Sequence, residues 1–277
     1  MRRYLIIALI GVLMGLASCR DKDLDMTLLT KTLYEDAVFD ALYAEDAWNV
    51  ILVQNSLKRG VELEYSAFLE EYLQIRKDGS MLDMRFTQRL NLPNATVKNA
   101  TVYVPSLRQV TLREAATVDL QGSFAGDSLV LDLKEATTLR GGLFLGNLAM
   151  ELDDASTVVE FSAEGEACSL ILRNASVFKG ILSFSETMDL TVSEASRMTT
   201  YGGNAPVATV TVEEASFLNM TPTAVGKMLI HLRSTSEASV RVTALLEGTV
   251  EDGSTLYHAG PANLQVECDE TSSMKPL

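Results

Sequence analysis

The stretch Leu170-Ile171-Leu172-Arg173-Asn174-Ala175-Ser176-Val177-Phe178 returns twenty residues later as Leu190-Thr191-Val192-Ser193-Glu194-Ala195-Ser196-Arg197-Met198. It returns again as Val210-Thr211-Val212-Glu213-Glu214-Ala215-Ser216-Phe217-Leu218. Before each acid-Ala-Ser step, apolar residues alternate with mostly polar ones, a period of two that marks a strand with one buried face. Working outward, the step recurs at Glu114-Ala115-Ala116, Glu135-Ala136-Thr137 and Asp154-Ala155-Ser156 on one side, and at Glu237-Ala238-Ser239 on the other, with weaker copies at Asp252-Gly253-Ser254 and Glu270-Thr271-Ser272. Asn94-Ala95-Thr96 and Asn99-Ala100-Thr101 precede the series. A fixed period of this length means a solenoid. No helical period interrupts it, and about twenty residues leave room for three short strands with turns. The expected fold is all-β, a three-faced parallel β-helix with about 20 residues per coil.

The register assigns roles within the coil. Leu129, Leu131 and Leu133 face inward, as do Leu148, Met150 and Leu152 and their successors, while Val118, Leu139, Val158, Phe178, Met198 and Leu218 fill a second inward slot. Ala at the second corner position is expected to fit a tight inward corner, and Ser or Thr at the third to hydrogen-bond its counterpart above and below. The acids Glu114, Glu135, Asp154, Glu194, Glu214 and Glu237 form a surface ladder of like charges about 4.8 Å apart. They read as solvated turn residues, with a shared-cation ladder as the competing reading. Asn174 interrupts the column, and no glycine-rich nonapeptide calcium repeat is present. Cys168 and Cys268 both fall on inward slots, about five coils or roughly 24 Å apart, too far for a disulfide with its limit of about 7 Å.

The 277 residues carry 37 acidic and 23 basic side chains, two histidines and three cysteines. A net charge of −14 without any basic stripe excludes nucleic acid as a partner. Two histidines and three cysteines exclude a histidine metal cluster or a thiolate cage, so neither metal nor cofactor is expected. His231 faces outward on a strand and His258 is read in a Tyr-His-Ala-Gly turn. No nucleophile elbow is present.

Residues 1–18 read as a secretory leader. Arg2 and Arg3 precede an apolar run from Leu5 to Leu16, shorter than the roughly 20 residues of a bilayer span. Leu16-Ala17-Ser18-Cys19 resembles the lipobox of bacterial lipoproteins, which implies lipidation of Cys19, cleavage before it, and a mature net charge near −16. The following Arg20-Asp21-Lys22-Asp23-Leu24-Asp25 reads either as the acidic export signal of surface-displayed Bacteroidetes lipoproteins, which it loosely resembles, or as a polar tether. The expected location is the outer membrane, lipid-anchored, on the surface or the periplasmic face.

Residues 19–37 form the tether in this reading and 38–277 the solenoid, with 38–113 an irregular cap and first coils and 114–277 regular coils. Val50 to Val53 predicts a strand, Ser66 to Leu73 a short helix, and Asp78-Gly79 a hairpin turn. Eight aromatics in residues 20–90, among them Trp48, Tyr65 and Tyr72, suit a cap that closes a solenoid end rather than a sugar platform.

The lipobox, Thr101-Val102-Tyr103-Val104-Pro105-Ser106-Leu107 leading into Val110 to Ala116, the repeated corners, and Gly253 to Gly260 together resemble the auto-transporter adhesin head GIN-domain family over roughly residues 38–275. That resemblance implies a right-handed parallel β-helix. Family members commonly carry Gly-Ala-Ser at the corner, where this chain carries an acid, and no functional residue transfers. The expected function is a non-catalytic envelope module that meets a glycan or protein partner. A polysaccharide-active β-helix enzyme and a purely structural envelope protein are the alternatives. The sequence leaves the oligomeric state open.

Overall fold

The structure is a computed structural model that describes residues 24–277. The expected leader, Cys19 and residues 20–23 lie outside the described residues. The N-terminal part contributes β1 (Leu28–Leu33), β2 (Ala41–Ala44), β3 (Asn49–Gln54), β4 (Gly60–Ser66), β5 (Leu73–Asp78), β6 (Met81–Phe86), β7 (Lys98–Val104) and β8 (Gln109–Leu112). The regular coils are β9 (Thr117–Leu133), β10 (Thr138–Leu152), β11 (Thr157–Leu172), β12 (Val177–Val192), β13 (Arg197–Val212), β14 (Phe217–Leu232) and β15 (Glu237–Val250). The last winding is β16 (Thr255–Ala259), β17 (Asn263–Cys268) and β18 (Ser273–Pro276). From β9 onward each coil pairs in parallel with the next. The fold is a parallel β-solenoid of about 8 turns with about 20 residues per coil.

A regular coil is one long strand bent twice rather than three strands with turns. Between β9 and β10 the register shifts at Gly141/Leu143 and again at Leu145/Asn147, which leaves three in-register runs. Glycine makes such bends where backbones touch: a Cβ on Gly203 (φ +113°) would lie 1.7 Å from the carbonyl oxygen of Leu182. The inward alternation is as the sequence reads. Leu129, Leu131, Leu133, Met150, Leu170, Leu190 and Val210 are buried, each contributing about 1.5–3 kcal/mol by burial.

The remaining turn of each coil is a pair of left-handed residues. Glu194 and Ala195 have φ 56° and 61°, and Glu214 and Ala215 both 58°. Consecutive corners are zipped by backbone: Ala136 N–H donates to Asp154 O at 2.7 Å, and Ala195 N–H to Glu214 O at 2.9 Å. The corner alanines are exposed, which corrects the expectation of a crowded inward position. Two left-handed residues turn both side chains outward, and the residue that points in is the third, buried as Thr137, Ser156, Ser176, Ser196 and Ser216. The expected ladder forms in part: Thr137 Oγ1 and Ser156 Oγ lie 3.1 Å apart, and Ser176 N–H donates to Ser196 Oγ and Ser196 N–H to Ser216 Oγ, each at 3.2 Å, while the buried Ser176 hydroxyl has no partner among the described residues.

Further corrections follow from the pairing. The corner after Glu214 is Ser234-Thr235-Ser236, with φ 57° and 61° at its first two residues. Glu237 instead begins β15, opposite Phe217, and Ala238 is buried opposite Leu218. The acid-Ala-Ser spelling there is coincidental, because Ser and Thr occupy the true corner. Asn99-Ala100-Thr101 lies inside β7. His258 lies in β16, opposite Val240, rather than in a turn. The expected helix over Ser66 to Leu73 shrinks to one 3-10 turn, Ala67–Leu69, and Leu73 already belongs to β5. The Asp78-Gly79 hairpin is present, joining antiparallel β5 and β6.

At the N-terminal end, stacking order departs from chain order. The coil β2–β3 lies between its later neighbours: β2 pairs with β6 and β8, and β3 with β7 and β9. Its corner, Asp46-Ala47, stacks on Glu114-Ala115 through Ala47 N–H to Glu114 O at 2.8 Å. Antiparallel β4 and β1 then cover β7, and β5 covers β6. Phe39, Trp48, Tyr65 and Phe86 are buried there, as a cap requires, with the Trp48 and Phe86 rings 5.7 Å apart. The opposite end is open. Cys268, expected inward and buried, is exposed because, among the described residues, β17 pairs only with β15. Cys168, in mid-column, is buried.

Candidate binding surface

The acidic corner column is a geometric fact for Glu114, Glu135, Asp154, Glu194 and Glu214, and Asn174 and Ser234 interrupt it. Its members reach for neighbours rather than converging. Arg89 Nε donates to Glu114 Oε1 at 3.1 Å, Glu114 N–H to Glu135 Oε2 at 3.2 Å, and Asn174 Nδ2 to Asp153 Oδ1 at 2.7 Å. No group of three or more His, Cys, Asp or Glu residues among the described residues has metal-binding geometry. Beside the column, Asp132 stacks on Glu151 and the basic side chains of the next register position pair with them. Arg113 pairs with Asp132, and Lys134 Nζ lies 3.1 Å from Glu151 and 3.6 Å from Asp132. These pairs are half-buried at the surface, and pairs that keep contact with solvent contribute about 1 kcal/mol each.

A groove of about 730 Å³ crosses the outward face where β1, β4, β7, β3 and β9 lie side by side in that order. Strand alternation sends every second side chain of these strands into it. One row begins at Thr30 and runs through Glu64, Asn99 and Asn49 to Thr117, each residue opposite the next on the neighbouring strand. The second row passes from Thr32 through Glu62, Thr101 and Ile51 to Asp119. The intervening Val50, Leu63 and Ala100 are buried beneath, so the floor belongs to the packed core.

Hydrogen bonds order the first row. Asn49 Nδ2 donates to Asn99 Oδ1 at 3.3 Å, and Asn99 Nδ2 donates to Glu64 Oε2 at 3.0 Å. In the second row, Glu62 accepts from Lys58 Nζ at 2.7 Å and from the Tyr103 hydroxyl at 2.9 Å. The Lys58 and Tyr103 bonds hold the Glu62 carboxyl below its ordinary range. Lys58 in turn sits 3.9 Å over the Tyr103 ring, so the cation at the rim is already engaged. Ile51 is the one large apolar side chain exposed in this lining. The groove therefore offers amides, hydroxyls and carboxylates on a rigid sheet.

Sequence reasoning missed this surface. The signal was present as outward polar alternation, Asn49-x-Ile51, Glu62-x-Glu64 and Asn99-x-Thr101, but the rows exist only once β3 inserts between β7 and β9 and β4 runs antiparallel beside β7. A smaller recess of about 270 Å³ lies by Thr211, His231 and Thr249. There His231 faces outward as expected, its Nδ1 3.2 Å from Thr249 Oγ1.

Fold and groove together define a parallel β-solenoid with one capped end and a polar lateral face. The chain belongs to the family described as "Putative auto-transporter adhesin, head GIN domain", whose model matches residues 38–262. Among curated proteins none matches it. Solved structures similar to it include a putative adhesin from Parabacteroides distasonis, with 13% identity over 91% of this chain and 98% of that one and a TM-score of 0.64. A putative adhesin from Parabacteroides merdae has 15% identity over 91% and 96%, TM-score 0.59. A protein described as a putative lipid binding protein, also from Parabacteroides distasonis, has 12% identity over 92% and 98%, TM-score 0.62. At these identities the likeness is one of fold.

Proposed function

We propose that the protein is a non-catalytic adhesin-like module, anchored by lipid at Cys19 to the outer membrane, that uses its lateral solenoid face to hold a glycan or an envelope protein. The observation that carries this reading is the groove across β1, β4, β7, β3 and β9, whose polar groups are pre-ordered on a floor of core residues. Family membership supports it. Rigid solenoids present extended surface rather than an enclosed pocket.

The groove is poorly suited to glycoside cleavage. A general acid in such chemistry is a carboxyl whose pKa is raised. Glu62 is instead held low by two donors, Lys58 and Tyr103. The experiment is comparative: attachment of cells that display the wild-type protein, an Asn99→Ala protein and a Cys19→Ala protein. Loss of attachment with both variants is expected. A Cys19→Ala protein that stays equally membrane-bound would overturn the anchor, and depolymerisation of any glycan by purified protein would overturn the non-catalytic assignment.

A further inference from the structure

The first row does not stop at the groove. Thr117 lies opposite Thr138, and Thr138 opposite Thr157, so hydroxyls continue in register onto the regular coils. From Thr30 to Thr157 the row crosses seven strands, about 29 Å at the spacing of about 4.8 Å between neighbouring strands. It is a straight comb of amide and hydroxyl groups running along the solenoid axis. None of Thr30, Thr117, Thr138 and Thr157 shares its hydroxyl with another side chain of the described residues, and these groups face solvent at least in part. The flanking charge is negative: Glu62, Glu64 and Asp119 face the groove, Lys58 is already tied to Glu62, and Lys31 in the lining pairs with Glu70 at 2.9 Å.

We propose that this comb is a binding site for a neutral, extended glycan chain lying along the solenoid axis, across the strands, from the Thr30–Asn49 groove to Thr157. This rests on the binding-module reading above and names its ligand class. Ligand hydroxyls both donate and accept, which matches a row that offers amides, hydroxyls and a carboxylate. Exposed Ile51, beside the row, gives a sugar's C–H face one apolar contact. A polyuronate meets repulsion from the three carboxylates. A folded protein partner would seek aromatic or arginine anchor pockets, and the groove lining contains no aromatic and no arginine side chain.

The test is calorimetric titration of the full-length lipoprotein in a sugar-free detergent. The probes are gluco-, manno- and galacto-oligosaccharides of two to eight units, with oligogalacturonates of equal length as acidic counterparts. At least one neutral series is expected to gain about tenfold or more in affinity from two units to six and then level off. The matched uronates should bind at least tenfold more weakly. Asn99→Ala should weaken all lengths at least fivefold. Thr138→Val, which leaves the groove untouched, should weaken the hexamer but not the dimer. Both variants are checked for unchanged melting temperature, and Glu64→Gln, a near-isosteric change, replaces Asn99→Ala if that variant is unstable. Absence of binding by every neutral series, preference for uronates, or indifference of hexamer binding to Thr138→Val would overturn the proposal. Attachment of displaying cells that is lost with Asn99→Ala, without neutral-glycan binding, would sink the ligand assignment and leave the adhesin reading standing. Attachment that survives Asn99→Ala would sink that reading instead.

Discussion

At the scale of single residues the corner is a conformational problem before it is a chemical one. A left-handed conformation costs an L-residue about 1–2 kcal/mol because Cβ crowds the following carbonyl. Glu194-Ala195 and Glu214-Ala215 accept that cost twice per coil. What offsets it is the zipper of N–H to C=O bonds between corners and the buried serine column inside them. Alanine at the second position is the least encumbered residue other than glycine, since a β-branched side chain there adds further clash. Ala195→Gly is therefore expected to stabilise the protein by about 0.5–1 kcal/mol, the relief of strain being partly cancelled by the freer unfolded chain. Ala195→Val should destabilise it by about 1 kcal/mol, and urea denaturation decides between these signs and a neutral result. The last corner adds an electrostatic version of the same device. The Asp252 backbone N–H, donating at 2.7 Å, and the nearby Ser272 and Thr271 hydroxyls hold Asp269 down at about 2. A carboxyl held low in the folded state stabilises above its unfolded value of 3.8, and that contribution is lost as pH falls from about 4 towards 2. The Asp252 amide resonance should accordingly titrate with a midpoint near 2, not near 3.8. In Asp269→Asn that titration should vanish and the last coil should melt earlier.

At the scale of elements, the coil is a bent ribbon whose inward slots were legible because they repeat, and whose bends were not. Leu170, Leu172 and Phe178 announce themselves by period two, but the register shifts at Val159/Phe161 and Gly165/Ala167 carry no repeated spelling. Gly248 shows why. It stands at an inward position between Ile230 and Val266, where its neighbours along the column are aliphatic, and reads in sequence as an interruption. Its φ is +137°, and an added Cβ would lie 1.8 Å from the Ile230 carbonyl oxygen. Gly248→Ala is expected to destabilise by about 2–4 kcal/mol, from backbone strain and a forced shift of coil spacing, with a lowered urea midpoint at unchanged slope. The misread corner has a similar cause: Glu237-Ala238-Ser239 spells the motif, whereas only stacking on Ala215 distinguishes Ser234-Thr235 as the turn. The groove was the least legible element. Periodicity reports which face a residue takes, and it is silent on Asn49 meeting Asn99 across fifty positions of chain.

At the scale of the whole molecule, the two ends differ, and a column of nearest-neighbour contacts makes that difference a prediction. Each inner coil is held from both sides, while among the described residues β17 and β18 have a neighbour on one side only, β15 and β16 respectively. The N-terminal end is closed by antiparallel β1, β4 and β5 over a buried aromatic cluster. Leu264 is 38% exposed at the open end although its partner Leu246 is fully buried. Opening should start at the C-terminus and travel inward, since releasing the last winding exposes little surface that is not already wet. The molecule carries its own reporters. Trp48, the single tryptophan, is buried in the capped end, Cys268 lies on the open edge, and Cys168 is buried between them. In rising urea, alkylation at Cys268 should proceed from the start, slowed only by burial and by Asp269, which both raise its thiol pKa. Alkylation at Cys168 should appear next, and the red shift of Trp48 emission last. Peptide mapping of the alkylated sites assigns the label to Cys268 or Cys168. A Trp48 shift that precedes or coincides with Cys168 labelling would show that the cap and coils unfold as one cooperative unit, or from the N-terminus, and would refute the ordering derived from the open end.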